Sequence, residues 1–123
     1  MERESFTIEM LEDRLRALPA PAVYAQLTGR KDWGAAMNRM IPIHMHEGLV
    51  RWIGYGREDM LGGFMRAFLE NDLMRAIGRA DNRNQAALVD WAGFLYNYAP
   101  QGCYGGVHQV EVWGGMCVAE EDA

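Results

Sequence analysis

Four polar residues stand where a helical reading of the chain puts apolar faces or helix starts. They are Asp72, Arg75, Asp81 and Asn84, within the stretch ENDLMRAIGRADNRN. A carboxylate inside an apolar face is costly unless it is paired, so Asp72 demands donors. Arg75 and Arg79 follow it at one and two helical turns. Asp81 is placed to be the N-cap of a following helix, with Asn84 at its third position. Two chemistries fit. One is a capping and hydrogen-bond network that fixes the corner between two helices, and it is the favoured reading. The other is a small-molecule or nucleotide pocket around Asp72 and Asn84, because a buried acid in a cleft is a site candidate. Nucleophile, base and oxyanion donor do not come together here, so no catalytic residue is assigned and an enzyme is not expected. In the network reading Asp72 is buried, and Asp72→Ala costs roughly 2–4 kcal/mol.

Other residue types with chemical potential carry less pattern. His44 and His46 lie two apart, about 200° apart on a helix, and cannot share an ion. His46 leans toward the apolar face, whereas His44 points outward. Cys103 and His108 could pair as nucleophile and base by type alone, but their spacing matches no motif. Cys103 and Cys117 are fourteen apart, which defines no zinc site, and both are expected as free thiols. The glycine-rich GYGREDMLGG is not a phosphate-binding loop of the Walker type and reads as an interhelical loop. No metal and no cofactor are expected.

The elements that must position these residues are helical. Ile8, Leu11, Leu15 and Leu18 recur at three and four, with Thr7 or Ser5 as cap and Pro19 and Pro21 as stop. Residues 41–56 form a second helix headed by Pro42, with Met45, Leu49, Trp52 and Ile53 on one face and Gly54 and Gly56 at its end. A third spans about 63–78, and a fourth about 82–99, halted by Pro100. Residues 22–40 are less clear. PAVYAQLTG is a short helix or an edge strand, and KDWGAAMNRM a turn followed by one helical turn. Arg30, Lys31, Trp33 and Arg39 lie in that segment, where a surface loop could carry partner specificity. Trp113 and some methionines could also line a binding surface. The tail mixes strand-forming valines with helical spacing and leans toward a short helix after a glycine-rich loop.

Length and composition bound the rest. The chain has 123 residues, half of them apolar and 24% charged, which fits one globular domain over 1–123. The net charge of −5 is unevenly spread. Residues 1–13 hold five acids against Arg3, whereas 14–110 hold eleven basic residues and eight acids. The acidic ends, 1–6 and 117–123, are expected to be flexible. The chain is not basic enough to make nucleic acid the default partner. No apolar run approaches the roughly 18 residues of a membrane span, and no secretory signal is expected.

Ile41 to Trp113 resembles a set of small phage- and prophage-encoded proteins. Gly48-Leu49 with Trp52-Ile53 matches the first part of their pattern. Gly63-Phe64 through Asn71-Asp72-Leu73 matches the second, Ala80-Asp81 with Asn84 the third, and Ala99-Pro100 the last. Where those proteins carry Trp-Gly-Ser after the proline, Cys103-Tyr104-Gly105-Gly106 stands here, and no role carries over to that loop. The resemblance implies an accessory protein made inside the bacterial host cell, in its cytoplasm. By analogy with such proteins it implies inhibition of a host defence system, of the anti-CRISPR kind, by occluding a host protein or nucleoprotein complex. A structural phage component is the further alternative. The expected fold is all-α, a compact bundle of four to five helices with at most a minor β element near a terminus or near residues 22–27.

Overall fold

The computed structural model describes residues 5–57, 59 and 61–118. Among these the fold is all-α, with nine α-helices and no strand. They are α1 (Ile8–Ala17), α2 (Ala20–Thr28), α3 (Lys31–Met40), α4 (His46–Tyr55), α5 (Gly63–Leu69), α6 (Leu73–Arg79), α7 (Asn82–Ala86), α8 (Leu88–Tyr98) and α9 (Val107–Val112). The expected four to five helices become nine, and the minor β element does not occur among the described residues.

Each extra helix has a local cause. The single helix expected over 63–78 is cut after Leu69. Asn71 takes a left-handed conformation, φ 65°. The Asp72 N–H then reaches back to the Ala67 carbonyl at 2.9 Å, and the Asn71 N–H to Phe68 at 3.1 Å. This pair of bonds is a Schellman stop, with asparagine in the seat that glycine usually takes. The helix expected over 82–99 is cut at Ala87, which sits at φ −104°, ψ 10°. Its N–H bonds three residues back to Asn84 before α8 restarts. The span expected to be one helix from Pro42 has a 3₁₀ turn, Ile43–Met45, before α4.

Residues 20–40 form two helices rather than a strand or turn. Gly29, at φ 72°, makes a second Schellman stop, with the Arg30 N–H bonded to Ala25. The helical period was faint because small residues carry the contact. Ala20 and Val23 of α2, and Gly34 and Ala36 of α3, are all buried. The α9 segment agrees with the expected short helix after the glycine-rich loop.

The packing order follows from these faces. α2 lies against α3 and α4, α3 against α8, and α1 against α2 and α4. Trp52, Trp91, Tyr24, Phe6 and Phe94 fill the centre. Their polar atoms are satisfied: Trp52 Nε1 donates to the Cys103 carbonyl at 3.0 Å, and Tyr24 Oη to the Tyr98 carbonyl at 2.5 Å. Thr7 caps α1 by accepting from the Met10 N–H. Phe6 is fully buried, and the Val118 N–H bonds to its carbonyl at 2.7 Å. Phe6, Cys117 and Val118 lie at the inner edges of the ends expected to be flexible, 1–6 and 117–123, and these backbone bonds hold them: Cys117 N–H to Gly54 and Val118 N–H to Phe6. Residues 1–4 and 119–123 lie outside the described residues.

α1 and α4 are also joined by charge. Glu12 accepts from Arg51 Nε at 2.8 Å and Nη2 at 3.1 Å, and from the Tyr55 hydroxyl. The Arg51 guanidinium, ahead of the tyrosine, holds the Glu12 carboxyl below its ordinary value. An acid with a lowered folded pKa stabilises the fold above its unfolded value, and that contribution is lost as pH falls through the folded one. Glu12→Gln should thus cost about 1–2 kcal/mol at neutral pH, less than an enclosed ionic bond because the Glu12 side chain is 28% exposed. The gap between parent and variant should close as the solution is acidified below the usual glutamate range. Urea unfolding at pH 7 and pH 3 measures both. A gap that persists undiminished at pH 3 would remove charge as the cause.

Candidate functional site

Among the described residues Asp72 pairs with Arg75 and Asp81 with Asn84, and no hydrogen bond or ion pair joins the two pairs. Asp72 is not buried. Its side chain is 44% exposed, and it serves as the N-cap of α6, accepting from the Arg75 N–H at 3.2 Å. The reason is the break at Asn71. On a continuous helix Asp72 would project from the apolar face, but α6 restarts with Asp72 outside it. An exposed cap is worth about 1 kcal/mol, so Asp72→Ala should cost roughly 0.5–2 kcal/mol rather than the 2–4 expected for a buried tie. Chemical denaturation decides between the two ranges.

Asp81 and Asn84 behave as the capping pattern predicts. Asp81 Oδ1 accepts from the Asn84 N–H at 2.8 Å. The Asn84 N–H, and after it His44, hold the Asp81 carboxyl below the usual carboxylate range. His44 Nε2 donates to Asp81 Oδ2 at 2.8 Å, so Asp81 rather than Asp72 joins this corner to the turn before α4. Asn84 is buried, and its Oδ1 accepts from Trp91 Nε1 at 3.1 Å. No hydrogen bond among the described residues joins Asp72 to Asn84.

Glu70, which the sequence reading placed off the apolar face, has a more enclosed side chain than Asp72. Its side chain is 8% exposed. It accepts from Arg75 Nη2 at 2.8 Å and lies 3.6 Å from Arg66 Nη1. The four-residue spacing of Arg66 and Glu70 was the available signal.

Beside this corner a cleft of about 330 Å³ opens between α5, α8 and the 104–105 turn. Phe68, Leu73, Leu95, Tyr96 and Tyr104 give it an apolar lining, and Asn71 stands at the chain break. The Gly105 N–H closes one end by bonding to the Leu69 carbonyl at 2.8 Å. Burial, with Cys103 and Tyr96 next in effect, raises the Tyr104 hydroxyl pKa and keeps the group neutral. Around the cleft and along α6 and α8, large apolar side chains meet solvent. Leu73 is 56% exposed, Met74 79%, Val89 85% and Tyr96 80%.

The residues proposed for partner binding lie elsewhere, and not in a loop. Arg30 precedes α3, while Lys31, Trp33 and Arg39 lie on it. The Arg30 guanidinium sits 4.9 Å over Trp33, which stacks on Tyr24 against the core. Arg39 lies two turns further along, over Tyr98. Trp33 is half-buried and acts as packing, so the group is divided between the two ends of a helix.

Cys103 is buried, and burial pushes its thiol up to about 12, against the requirement of a nucleophile. His108 is exposed on α9. His46 is buried and donates to the Ile41 carbonyl at 2.7 Å. Among the described residues no three His, Cys, Asp or Glu side chains converge as metal ligands. No described helix is long and apolar enough to cross a membrane. No family model matches the chain, and no curated protein or solved structure is significantly similar to it.

Proposed function

We propose that the chain is a phage- or prophage-encoded accessory protein that inhibits a bacterial host defence system, in the manner of an anti-CRISPR protein. It acts in the host cytoplasm by binding a component and occluding it, without catalysis. The observation that carries this reading is the pair of exposed apolar side chains that line the cleft, Leu73 of α6 and Tyr96 of α8, with Met74 and Val89 exposed on the same two helices. Large apolar side chains grouped on a small protein's surface mark an interaction site, and tyrosine and methionine are the types enriched there. Exposed Leu73 and Tyr96 could seat on a partner, and the cleft between them could receive one of its side chains. The resemblance of residues 41–113 to phage accessory proteins supplies the biological setting.

The test is phage plating. A host carrying a CRISPR system that targets the phage should regain plaques when the chain is expressed. The doubly substituted Leu73→Asp, Tyr96→Asp should lose the effect while unfolding at the parent's denaturant midpoint, because two central contact residues contribute tenfold or more to affinity in typical interfaces. Undiminished protection across the defence types tested, with folded chain present, overturns the reading. A second reading has its own observation. At about 330 Å³ the cleft reaches the size of small-ligand sites. Asn71 and the Tyr104 hydroxyl, rather than Asp72 and Asn84, would then orient the ligand. Protection of Tyr96 and Tyr104 resonances by one small molecule at stoichiometric concentration would favour it.

A further inference from the structure

The cleft of about 330 Å³ is lined by three aromatic rings from three separate elements: Phe68 of α5, Tyr96 of α8 and Tyr104 of the turn that follows. Phe68 is a fixed wall, packed on Phe64 at 5.7 Å and on Trp91 at 6.0 Å. Tyr96 and Tyr104 differ. Among the described residues neither ring stacks on another ring, and no arginine or lysine lies over either. Each therefore keeps π-surface that no other ring or cation uses.

The polar part of the lining is neutral. Among the described residues that form it, none is Asp, Glu, Lys, Arg or His. Asn71 supplies an amide. Its backbone sits at φ 65°, in the seat that glycine usually takes in a Schellman stop. The stop itself needs only the backbone bonds to Phe68 and Ala67. The Asn71 side chain makes no hydrogen bond among the described residues. One acceptor and two donors are thus held at a rigid corner of the cleft. The Tyr104 hydroxyl, kept protonated by burial, makes no hydrogen bond among the described residues either.

Such a lining selects its ligand. An anion would find no cation in it and a cation no carboxylate, so either would lose hydration without a counter-charge. An aliphatic ligand would cover the Asn71 amide and the Tyr104 hydroxyl without pairing them. A planar ring with polar atoms on its edge meets both needs, because its faces stack and its edge pairs with the amide. Asparagine matches the edge of adenine with two hydrogen bonds. We propose that the cleft binds a neutral planar heteroaromatic ring of the nucleobase type, with the aromatic side chains on its faces and Asn71 on its edge. The source is a free base or nucleoside, since the lining offers no cation to a phosphate. This ligand class rests on the small-ligand reading of the cleft and not on the defence reading.

The full chain is titrated with adenosine and, separately, with benzyl alcohol, benzyltrimethylammonium and adenosine monophosphate. Saturable one-site binding of adenosine is expected, with the amide resonances of Asn71, Tyr96, Tyr104 and Gly105 shifting together. Asn71→Gly should weaken it by about fivefold or more, as loss of a hydrogen bond implies. That variant should unfold at the parent's denaturant midpoint or above it, because glycine suits the left-handed seat. Tyr96→Leu should weaken binding by about tenfold through lost stacking. Val89→Ala, at a position exposed on the same helix but outside the lining, should leave it unchanged. Adenosine monophosphate should bind no more tightly than adenosine. Tighter binding of it, with steep salt dependence, gives the leading role to phosphate and overturns the assignment. Tighter binding of benzyltrimethylammonium than of adenosine overturns it in favour of a cation cage. Binding of benzyl alcohol but not of adenosine overturns the ligand class and leaves the small-ligand reading standing. Absence of saturable binding by every probe at millimolar concentration overturns both.

Discussion

Trp91→Ala should destabilise the protein by about 3–5 kcal/mol, a large part of the 5–15 kcal/mol typical of a domain. Trp91 is fully buried. Its ring meets Phe64 edge-on at 5.4 Å and lies 6.0 Å from Phe68, so one indole joins α5 to α8. Alanine leaves a cavity there and also strands the buried Asn84 Oδ1, which has Trp91 Nε1 as its donor. The two losses are separable. Trp91→Phe keeps much of the ring but not the N–H, and should cost about 1–3 kcal/mol for the orphaned acceptor plus a smaller packing loss. Adding Asn84→Ala to Trp91→Phe should then cost less than the two single changes summed, because the pair interacts directly. Urea unfolding of the four proteins measures the cycle. Strict additivity would show that the bond contributes nothing, and a loss below about 1 kcal/mol in Trp91→Ala would show that the site collapses without a cavity. The exposed Val89 and Tyr96 lie on the outer side of this same helix. Loosening Trp91 should therefore blur the proposed contact surface before the molecule unfolds.

What was legible in the sequence was local. Asp81 as cap, the inward turn of Asn84 and His46, the Thr7 cap and the stop at Gly56 depend on side chains within a few residues of each other. So does the short helix at 107–112. The errors arose where a helix ends without glycine or proline. Asn71 stops α5 in a left-handed seat that asparagine tolerates, but the apolar period runs straight across it. Reading through the stop rotated Asp72 into the apolar face and Glu70 away from it, whereas the Asp72 side chain is the more exposed of the two. The same reading hid the sharing of Glu70 by Arg66 and Arg75, which meet it only after the chain turns between them. In α2 and α3 the difficulty was of another kind. Ala20, Gly34 and Ala36 are buried because helices cross closely there, and small residues give a weak hydrophobic period. The segment of Arg30, Lys31, Trp33 and Arg39 therefore read as a loop. The cleft could not be read at all. It needs Phe68, Tyr96 and Tyr104 to meet from three elements, and no spacing along the chain encodes that.

Gly115→Ala should cost about 2–4 kcal/mol, although Gly115 lies only three residues before the last described one. Residues 113–118 finish α4. Its last carbonyls lack partners within the helix, as at any helix end. Here the Met116 and Cys117 N–H groups bond to the Ile53 and Gly54 carbonyls, each at 2.9 Å, and Trp113 Nε1 donates to Trp52 at 3.1 Å. The two backbones cross with no side chain between them. Gly115 has φ 83°, and a Cβ on it would lie 2.3 Å from the Gly54 carbonyl oxygen and 2.5 Å from the Tyr55 carbonyl carbon. Gly56 meets the same crossing from the other side, at φ 69°, with its Cβ position 2.4 Å from the Trp113 oxygen. Those obstacles are backbone, so no rotamer change relieves them, and the left-handed conformation adds about 1–2 kcal/mol of its own. The chain has one other response, which is to release the segment and leave the Ile53 and Gly54 carbonyls to water. Amide exchange separates the outcomes: in Gly115→Ala the Met116, Cys117 and Val118 amides should exchange far faster than those of α8. Gly114→Ala is the matched control, because a Cβ there meets nothing within 4 Å. It should stay within about 0.5 kcal/mol of the parent, as ordinary surface changes do. Equal stability and equally slow exchange in the two variants would mean that α4 does not need this segment to close it.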